Sequence, residues 1–247
     1  MSKQDVLFQS TIVRYGYIPC SWCLNIWHLA FGFWVSETLS SFQYTVMLYK
    51  DVAGVILAGG RSSRYGRNKA LVQYHGTPLI ERVIRVLEGL FENVVLITNS
   101  PEEYAYLRLP MEQDIIKGLG PLGGIYTALQ TISTEYGFFV ACDMPFLNSP
   151  LISYIIDQRE EYDVVVPKID WKIEALHALY RKSCLPEVEW LIRNNEYQTI
   201  RFFDRLSVRY VEEDEVRRFD PSLRSFLNIN RPEDLTRIAR GSKEIEP

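Results

Sequence analysis

Three runs of consecutive, mostly apolar residues constrain the fold of this chain more than any other feature of its sequence. They occupy residues 52–58, 93–98 and 138–142. A strand that is apolar on both faces has to be buried on both faces, as parallel strands covered by helices are. Helix-start signals follow the first two runs at Pro78 and Pro121,. The sequence therefore predicts an α/β fold with a mostly parallel sheet and helices on both sides.

Weaker patterns predict the rest of the domain. Residues 163–167 form a further apolar run, and the alternation over residues 175–181 predicts an antiparallel strand,. The other predicted elements are helices at 78–90, 121–133, 151–159, 184–194, 198–204 and from Pro232 onward, a short helix and strand within 101–116, and strands at 207–212 and 226–229.

Residues 1–50 differ in composition from the rest of the chain. Residues 15–36 contain no Asp, Glu, Lys or Arg and hold three of the five tryptophans. A membrane-spanning helix needs about 20 apolar residues, so an anchor is one hypothesis. The others are an over-extended reading frame, with translation starting at Met47, and a partner-binding or poorly ordered extension. We expect a single functional domain over residues 51–247, and membrane contact only if residues 15–36 are a real segment.

Composition limits the classes of partner. The formal net charge is -4, which argues against a broad nucleic-acid surface, so no nucleic-acid partner is predicted. The four cysteines include one C-x-x-C pair, Cys20 and Cys23, with no second pair or histidine at zinc-ligand spacing,. No disulfide framework is visible, which predicts a cytoplasmic protein.

A loop rich in glycine and positive charge, here called the glycine loop (residues 57–69), follows the first predicted strand. Its glycines let a phosphate approach backbone N–H groups closely, and its cations add charge against a polyphosphate. Five residues separate Gly60 from Gly66 and no Lys-Ser/Thr pair follows, so this is not a Walker A loop,. The loop lies at the carboxyl edge of the sheet, where open α/β sheets bind ligands. It predicts a phosphate site, with a glycine-rich turn and solvated arginines as the alternative.

The glycine loop resembles the signature of a known family. The motif L-A-G-G-x-S-x-R-M-G-x-x-K of the molybdenum cofactor guanylyltransferases is matched with Tyr65 in place of Met. The resemblance extends over residues 52–240 and implies a Rossmann-like three-layer α/β/α fold. It also implies that Lys69 contacts the phosphates of a nucleotide. The other loop residues that it places against the nucleotide are Leu57, Ala58, Gly59, Gly60 and Arg64.

Two further elements carry predicted nucleotide and metal contacts. The glycine-rich turn before the predicted helix at 121–133 resembles the family's G-P-L-x-G element, which implies nucleotide contacts by Gly120, Pro121 and Leu122, and by Asp114 upstream. Asp143 ends a buried strand, where a carboxylate oxygen suits Mg²⁺ and a helix cap is the alternative. The family's C-D-M-P element implies that Asp143 is the magnesium-binding aspartate.

The last two motifs concern the acceptor side. Glu174 lies in a segment that resembles the family's E-P-L-x-A-x-Y element, and Asn228 and Asn230 match its closing F-x-N-x-N motif. These resemblances imply contacts with acceptor or nucleotide, while hydrogen bonding at the sheet end and capping of the last helix are the alternatives. His177 lies at a position that the family leaves variable, so we do not predict a catalytic role for it.

The resemblance implies Mg²⁺-dependent transfer of GMP from GTP to a molybdopterin-type molybdenum cofactor, with release of pyrophosphate. Lys69 and Asp143 are then the catalytic residues, and a molybdoenzyme or another cofactor-biosynthesis protein is the expected partner. Ile97 and Asn99 are candidate neighbours of the base, but they do not separate GTP from CTP. A related transferase with another phosphorylated acceptor and a non-catalytic GTP-binding adaptor are the alternatives.

Overall fold

The computed structural model describes residues 48–59, 68–229 and 234. The chain divides into two units, Met1–Met47 and Leu48–Pro247, and all the described residues belong to the second. The hypotheses for the N-terminal extension, including the membrane segment, lie outside the described residues and stay predictions. So do the contacts predicted for Gly60, Arg64 and Asn230, and all of the closing helix except Asp234, which is helical. Within the described part of the chain, no helix combines the length and apolarity that crossing a membrane requires.

Strands and helices alternate along most of the second unit. The strands are β1 (Tyr49–Leu57), β2 (Gln73–Tyr74), β3 (Thr77–Pro78), β4 (Phe91–Ile97), β5 (Met111–Glu112), β6 (Tyr136–Ala141), β7 (Val164–Ile169), β8 (Lys172–Ile173), β9 (His177–Arg181) and β10 (Val208–Glu212). The α-helices are α1 (Leu79–Glu88), α2 (Pro101–Tyr104), α3 (Pro121–Thr131), α4 (Ser149–Asp157), α5 (Leu185–Arg193) and α6 (Glu213–Val216). Short 3-10 helices occupy Lys69–Leu71, Ala105–Leu107, Lys182–Cys184, Thr199–Arg205 and Arg224–Phe226.

The main sheet has the strand order β10-β7-β9-β6-β1-β4-β5, and β8 pairs with β7. β1 is parallel to both β4 and β6, β5 is parallel to β4, and β10 is parallel to β7. β9 is antiparallel to its neighbours β6 and β7. The prediction of a mostly parallel sheet with an antiparallel strand is therefore confirmed.

Both faces of the sheet are covered, because its central strands are apolar on both sides. Val52 and Ile56 of β1 belong to one core, which contains the buried side chains of α1 and α4. Ala53, Val55 and Leu57 belong to a second core, with α3 and α5. The alternation along β1 thus gives the predicted three-layer α/β/α arrangement.

One predicted element was wrong in type, and one predicted helix is a 3-10 helix rather than an α-helix. Residues 226–229 are not a strand, because their backbone groups bond elsewhere: the N–H of Ile229 donates to the carbonyl of Asp143 at 3.0 Å. The predicted helix at 198–204 is the 3-10 helix Thr199–Arg205. The antiparallel hairpin of β2 and β3 was not predicted. It turns at His75 and Gly76, which both have positive φ, as tight hairpin turns require,.

Candidate active site

The strands that precede the glycine loop and Asp143 end side by side. Leu57 is in register with Ala141 of β6, and the N–H of Cys142 donates to the Leu57 carbonyl at 3.2 Å. β4 and β5 lie on the other side of β1, so the strand order reverses between β1 and β6. Ligands of open α/β sheets bind in the crevice at such a reversal. The topology therefore brings the start of the glycine loop beside Asp143.

A cleft of about 350 Å³ opens at these strand ends. It is where predicted nucleotide contacts and predicted acceptor contacts meet. The predicted site residues that line it are Leu57, Gly59, Pro121, Asp143, Glu174 and Asn228. The described site residues that do not line it are Ala58, Lys69, Asp114, Gly120 and Leu122.

A larger cleft, of about 530 Å³, lies along β4 and beside the C-terminal end of α3. None of the predicted site residues lines it, and its walls carry the carboxylates of Glu88, Glu92 and Glu112. The charges of these three carboxylates repel a polyphosphate. The smaller cleft also contains two carboxylates, Asp143 and Glu174, but it lies at the strand reversal, where the Lys69 ammonium acts on Asp143. We therefore take the smaller cleft as the candidate active site.

Asp143 and Lys69 influence each other electrostatically. Partial burial raises the pKa of the Asp143 carboxyl, and the Lys69 ammonium opposes that shift by favouring the charged form,. Burial also raises the pKa of the neighbouring Cys142 thiol to about 12, so this thiol is protonated at neutral pH,. The strand end thus presents one carboxylate beside one cation, and an unreactive cysteine.

The backbone around Lys69 is fixed by residues that the sequence analysis did not identify. Asn68 caps the 3-10 helix that begins at Lys69. The Asn68 side chain in turn bonds to Glu103 and Tyr104 of α2. These partners are 35 and 36 residues away in the sequence, and no local motif indicates such a pairing.

Helix α3 approaches the cleft closely because its first turn contains glycines. A Cβ at Gly124 would lie 3.0 Å from Cδ2 of Leu57, and one at Gly123 would lie 3.1 Å from the Ile116 carbonyl oxygen. Gly120 has φ 60° and ψ −143°, a backbone conformation that is almost confined to glycine,. The N-terminus of α3 therefore lies at the cleft, where its N–H groups suit an anion. The Leu122 side chain is buried in the core, which leaves its backbone for any ligand contact.

Asp114 and Asn99 are brought together beside α3. The Asn99 amide donates to the Asp114 carboxylate at 2.7 Å, and the Asp114 N–H donates back to Asn99 Oδ1 at 3.3 Å. The next residue, Ile115, donates its N–H to the Thr127 hydroxyl of α3 at 2.9 Å. Ile97 is buried in the core. Of the two candidate neighbours of the base, Asn99 is thus the exposed one.

The opposite wall of the cleft is formed by the segment between β8 and β9. The Glu174 N–H donates to the Pro167 carbonyl at 2.9 Å, and the Glu174 carbonyl accepts from the His177 N–H at 2.9 Å. The Glu174 carboxylate accepts from Lys172 Nζ at 2.7 Å. Asn228 is exposed, so its amide is available to a ligand in the cleft.

A metal ion would have Asp143 as its protein ligand here. Among the described residues, no three His, Cys, Asp or Glu side chains are grouped so as to hold a metal ion. Magnesium at phosphoryl-transfer sites usually takes one or two carboxylates and completes its shell with substrate phosphates and water. Asp143, a half-buried carboxylate in the cleft, fits that donor set.

A sheet between two helical layers, with a glycine loop and an aspartate at adjacent strand ends, is the arrangement of α/β nucleotide-binding proteins. The comparison with known families narrows this class. The model described as "MobA-like NTP transferase domain" matches residues 54–210, which is more than half of the chain. The chain belongs to the MobA-like NTP transferase family.

Several individual proteins are similar to this chain over most of its length. A protein of Clostridium perfringens named "Probable molybdenum cofactor guanylyltransferase" is 37% identical over 204 residues, which cover 81% of this chain and 100% of the relative. One of the same name from Pelotomaculum thermopropionicum is 38% identical over 187 residues, 76% of this chain and 91% of the relative. The crystal structure of molybdopterin-guanine dinucleotide biosynthesis protein A from Archaeoglobus fulgidus has a TM-score of 0.68 and 28% identity, and the match covers 78% of this chain and 100% of that chain.

Proposed function

We propose that this protein transfers GMP from GTP to a molybdopterin-type molybdenum cofactor and releases pyrophosphate. The observation that carries the proposal is the pairing of Leu57 with Ala141, which places the glycine loop and Asp143 at neighbouring strand ends. The family and the names of its relatives support the choice of substrates. The cysteine pattern supports a cytoplasmic location, and a molybdoenzyme or another cofactor-biosynthesis protein would receive the product.

The reaction needs no nucleophile from the protein. An oxygen of the acceptor's terminal phosphate attacks the α-phosphorus of GTP, and the bond from that phosphorus to the α,β-bridging oxygen breaks. Pyrophosphate leaves with the electron pair of that bond. Catalysis of this kind depends on positioning and on stabilisation of charge. The protonated thiol of Cys142 is consistent with a structural role for that residue.

The nucleotide side of the cleft would hold the polyphosphate. Lys69 supplies a positive charge there, and the N–H groups at Gly59 and at the N-terminus of α3 add donors. Asp143 is the residue that would hold Mg²⁺. When bound, Mg²⁺ neutralises charge on the α-phosphate and the leaving group. Gly60 and Arg64 extend the same role along the glycine loop.

The acceptor side of the cleft would be formed by Glu174 and Asn228, and the family motif adds Asn230, which lies outside the described residues. Glu174 is almost fully buried but faces the cleft, and its ion pair with Lys172 holds its carboxylate in place. Asn228 offers both a donor and an acceptor. These groups suit the polar edge of a pterin ring or its phosphate. Asp114 and Asn99 would lie toward the base.

The function is tested by supplying the purified protein with Mg²⁺, molybdopterin and one nucleoside triphosphate at a time. We expect pyrophosphate release with GTP and a guanine-containing dinucleotide product. Turnover with CTP alone would move the protein to a cytidylyl transferase. Nucleotide binding without pyrophosphate release would contradict the enzymatic assignment.

Variants at the two central residues test the mechanism. Lys69→Ala should raise the KM for GTP about tenfold or more, because a charge-assisted contact to phosphate is worth about 1.5–3 kcal/mol. Lys50→Ala is the matched control, since Lys50 is an exposed lysine near the opposite end of β1. Asp143→Ala should abolish Mg²⁺-dependent turnover, whereas Asp204→Ala, at an exposed aspartate outside the cleft, should not. Most activity surviving in Asp143→Ala would show that the metal assignment is wrong.

A further inference from the structure

Asn68, the residue before the last of the glycine loop, has a side chain that is hydrogen-bonded in two directions. Toward the 3-10 helix Lys69–Leu71, the Asn68 Oδ1 accepts a hydrogen bond from the Ala70 N–H at 3.1 Å. Toward helix α2, Nδ2 donates to Glu103 Oε2 at 2.8 Å and to the Tyr104 hydroxyl at 2.8 Å. The Tyr104 hydroxyl donates back to Asn68 Oδ1 at 3.0 Å. One amide thus joins the 3-10 helix that contains Lys69 to the helix after β4.

The Tyr104 hydroxyl is placed for this contact. Tyr104 is only 2% exposed and belongs to the core on the α1 side of the sheet. Burial raises the pKa of its phenol well above the usual value, so the hydroxyl is neutral and carries a proton to donate. A buried hydroxyl without a partner costs about 1–3 kcal/mol. The Tyr104 hydroxyl has Asn68 as its partner. The Cys142 thiol, beside Asp143, is close enough to influence the Tyr104 hydroxyl electrostatically.

We propose that Asn68 and Tyr104 are positioning residues that fix Lys69 relative to Asp143. The inference rests on the proposed function, in which Lys69 holds the polyphosphate. Lys69 lies between two anchored residues, because Asn68 is tied to α2 and Ala70 is buried in the core with 1% exposure. A lysine is a point charge on a flexible stem, so its backbone origin determines where its charge can reach. Displacement of a positioned group by about 1 Å can cost on the order of 100-fold in rate.

The first test removes one oxygen atom. Tyr104→Phe deletes the hydroxyl and leaves the ring in the core. We expect kcat/KM for GTP to fall about tenfold, the equivalent of about 1.4 kcal/mol for a lost hydrogen-bonded anchor. Tyr106→Phe is the matched control, because Tyr106 is 53% exposed on the following 3-10 turn, and its activity should be that of the wild type. Unchanged kcat/KM in Tyr104→Phe would overturn the proposal.

A double-mutant cycle separates positioning from a general loss of structure. Kinetics are measured for Tyr104→Phe, Lys69→Ala and the double variant. If Tyr104 acts through Lys69, its substitution causes no further loss once the Lys69 ammonium is gone. If Tyr104 only stabilises the fold, the tenfold loss recurs in the Lys69→Ala background. Multiplicative losses would therefore overturn the proposal even where both single variants are impaired.

Introduction of a negative charge at position 68, and its rescue at position 103, test the contact between Asn68 and Glu103. Asn68→Asp keeps oxygen acceptors for the Ala70 N–H and the Tyr104 hydroxyl, but it sets a carboxylate against Glu103 where the amide donated at 2.8 Å. Because Glu103 is exposed, we expect this repulsion to lower kcat/KM about two- to fivefold, the equivalent of about 0.4–1 kcal/mol. Glu103→Gln in the same chain restores a donor–acceptor pair and should recover most of the activity. Failure of this rescue would count against the network.

The Lys69→Ala and Tyr104→Phe results together distinguish failure of the positioning role from failure of the proposed function. If Lys69→Ala leaves the KM for GTP unchanged, the phosphate-binding role of Lys69 is wrong and the positioning role is overturned with it. If Lys69→Ala raises the KM but Tyr104→Phe acts independently of it, the proposed function stands and the positioning role alone is overturned.

Discussion

His177 should make this protein sensitive to mild acid. Its ring lies in the core between Phe138, at 5.4 Å between centroids, and Phe226, at 4.9 Å. The side chain has no exposed surface, and neither ring nitrogen has a hydrogen-bond partner among the residues that the structure describes. Burial lowers its pKa from the usual 6.5 to about 3, against a smaller opposing effect of the Asp220 carboxylate. The folded protein therefore holds a neutral histidine throughout the physiological pH range.

The sign of the effect follows from proton linkage. Between pH 6.5 and pH 3 the unfolded chain binds a proton at this histidine and the folded chain does not. Stability therefore falls as the pH falls through that window. With these two pKa values, the free energy of unfolding drops by about 2 kcal/mol between pH 7 and pH 5, and by about 5 kcal/mol in all. For a domain of this size, 2 kcal/mol corresponds to roughly 4–8 °C in Tm.

His177→Leu isolates this contribution, because leucine has a similar volume and does not titrate. At pH 7 the variant should be more stable than the wild type by about 1–3 kcal/mol, since it removes two polar atoms buried without partners. Urea unfolding at pH 7, 6 and 5 should show this difference growing by about 2 kcal/mol toward pH 5. His75→Asn, at an exposed turn histidine, should run parallel to the wild type. Parallel profiles for His177→Leu and the wild type would refute the reasoning.

Substitutions at two further positions test how backbone conformation and close packing affect stability. Trp171 lies in the two-residue turn between β7 and β8 with φ 64°, a conformation that favours glycine, and is 91% exposed,. Trp171→Gly should therefore raise the free energy of unfolding by about 0.5–1 kcal/mol, whereas Trp171→Ala, which keeps a Cβ, should not. Gly54→Ala should lower it by about 1–3 kcal/mol, because the added Cβ would lie 2.8 Å from Cδ2 of the buried Phe91 ring,. Thermal melts check both, and an unchanged Tm in Gly54→Ala would show that the ring can move aside at little cost.

The main strands could be predicted because their apolar runs leave little choice. A run such as Val52–Leu57 cannot face water on either side, so burial between two helical layers follows from composition alone. The site's position at the carboxyl edge follows from the same strands. The resemblance then supplied Lys69 and Asp143 as the predicted catalytic residues. Short or irregular elements gave no comparable signal: β2 and β3 have two residues each, and residues 226–229, which are apolar except for Asn228, do not belong to a sheet.

Contacts between distant segments could not be predicted. The bond from Asn68 to Tyr104 spans 36 residues and depends on how α2 packs after β4. At position 104 the sequence shows only an aromatic residue of a kind that is often buried. The environment of the His177 ring is a similar case. The position of His177 in a strand was predicted, but the aromatic neighbours that exclude water from its ring come from β6 and from a distant 3-10 helix. Both are products of the tertiary fold.

The strand order also explains why the two sides of the cleft should respond separately to substitution. The proposed nucleotide side is built on β1 and α3, which meet where Gly124 packs against Leu57. The proposed acceptor side is built on the segment between β8 and β9, which is held by bonds within its own part of the sheet, including that from the Tyr180 hydroxyl to the Ala175 carbonyl at 2.7 Å. The two sides approach each other only because β9 lies next to β6. Changes at Glu174 should consequently alter the KM for the acceptor more than the KM for GTP, and changes at Lys69 should do the opposite.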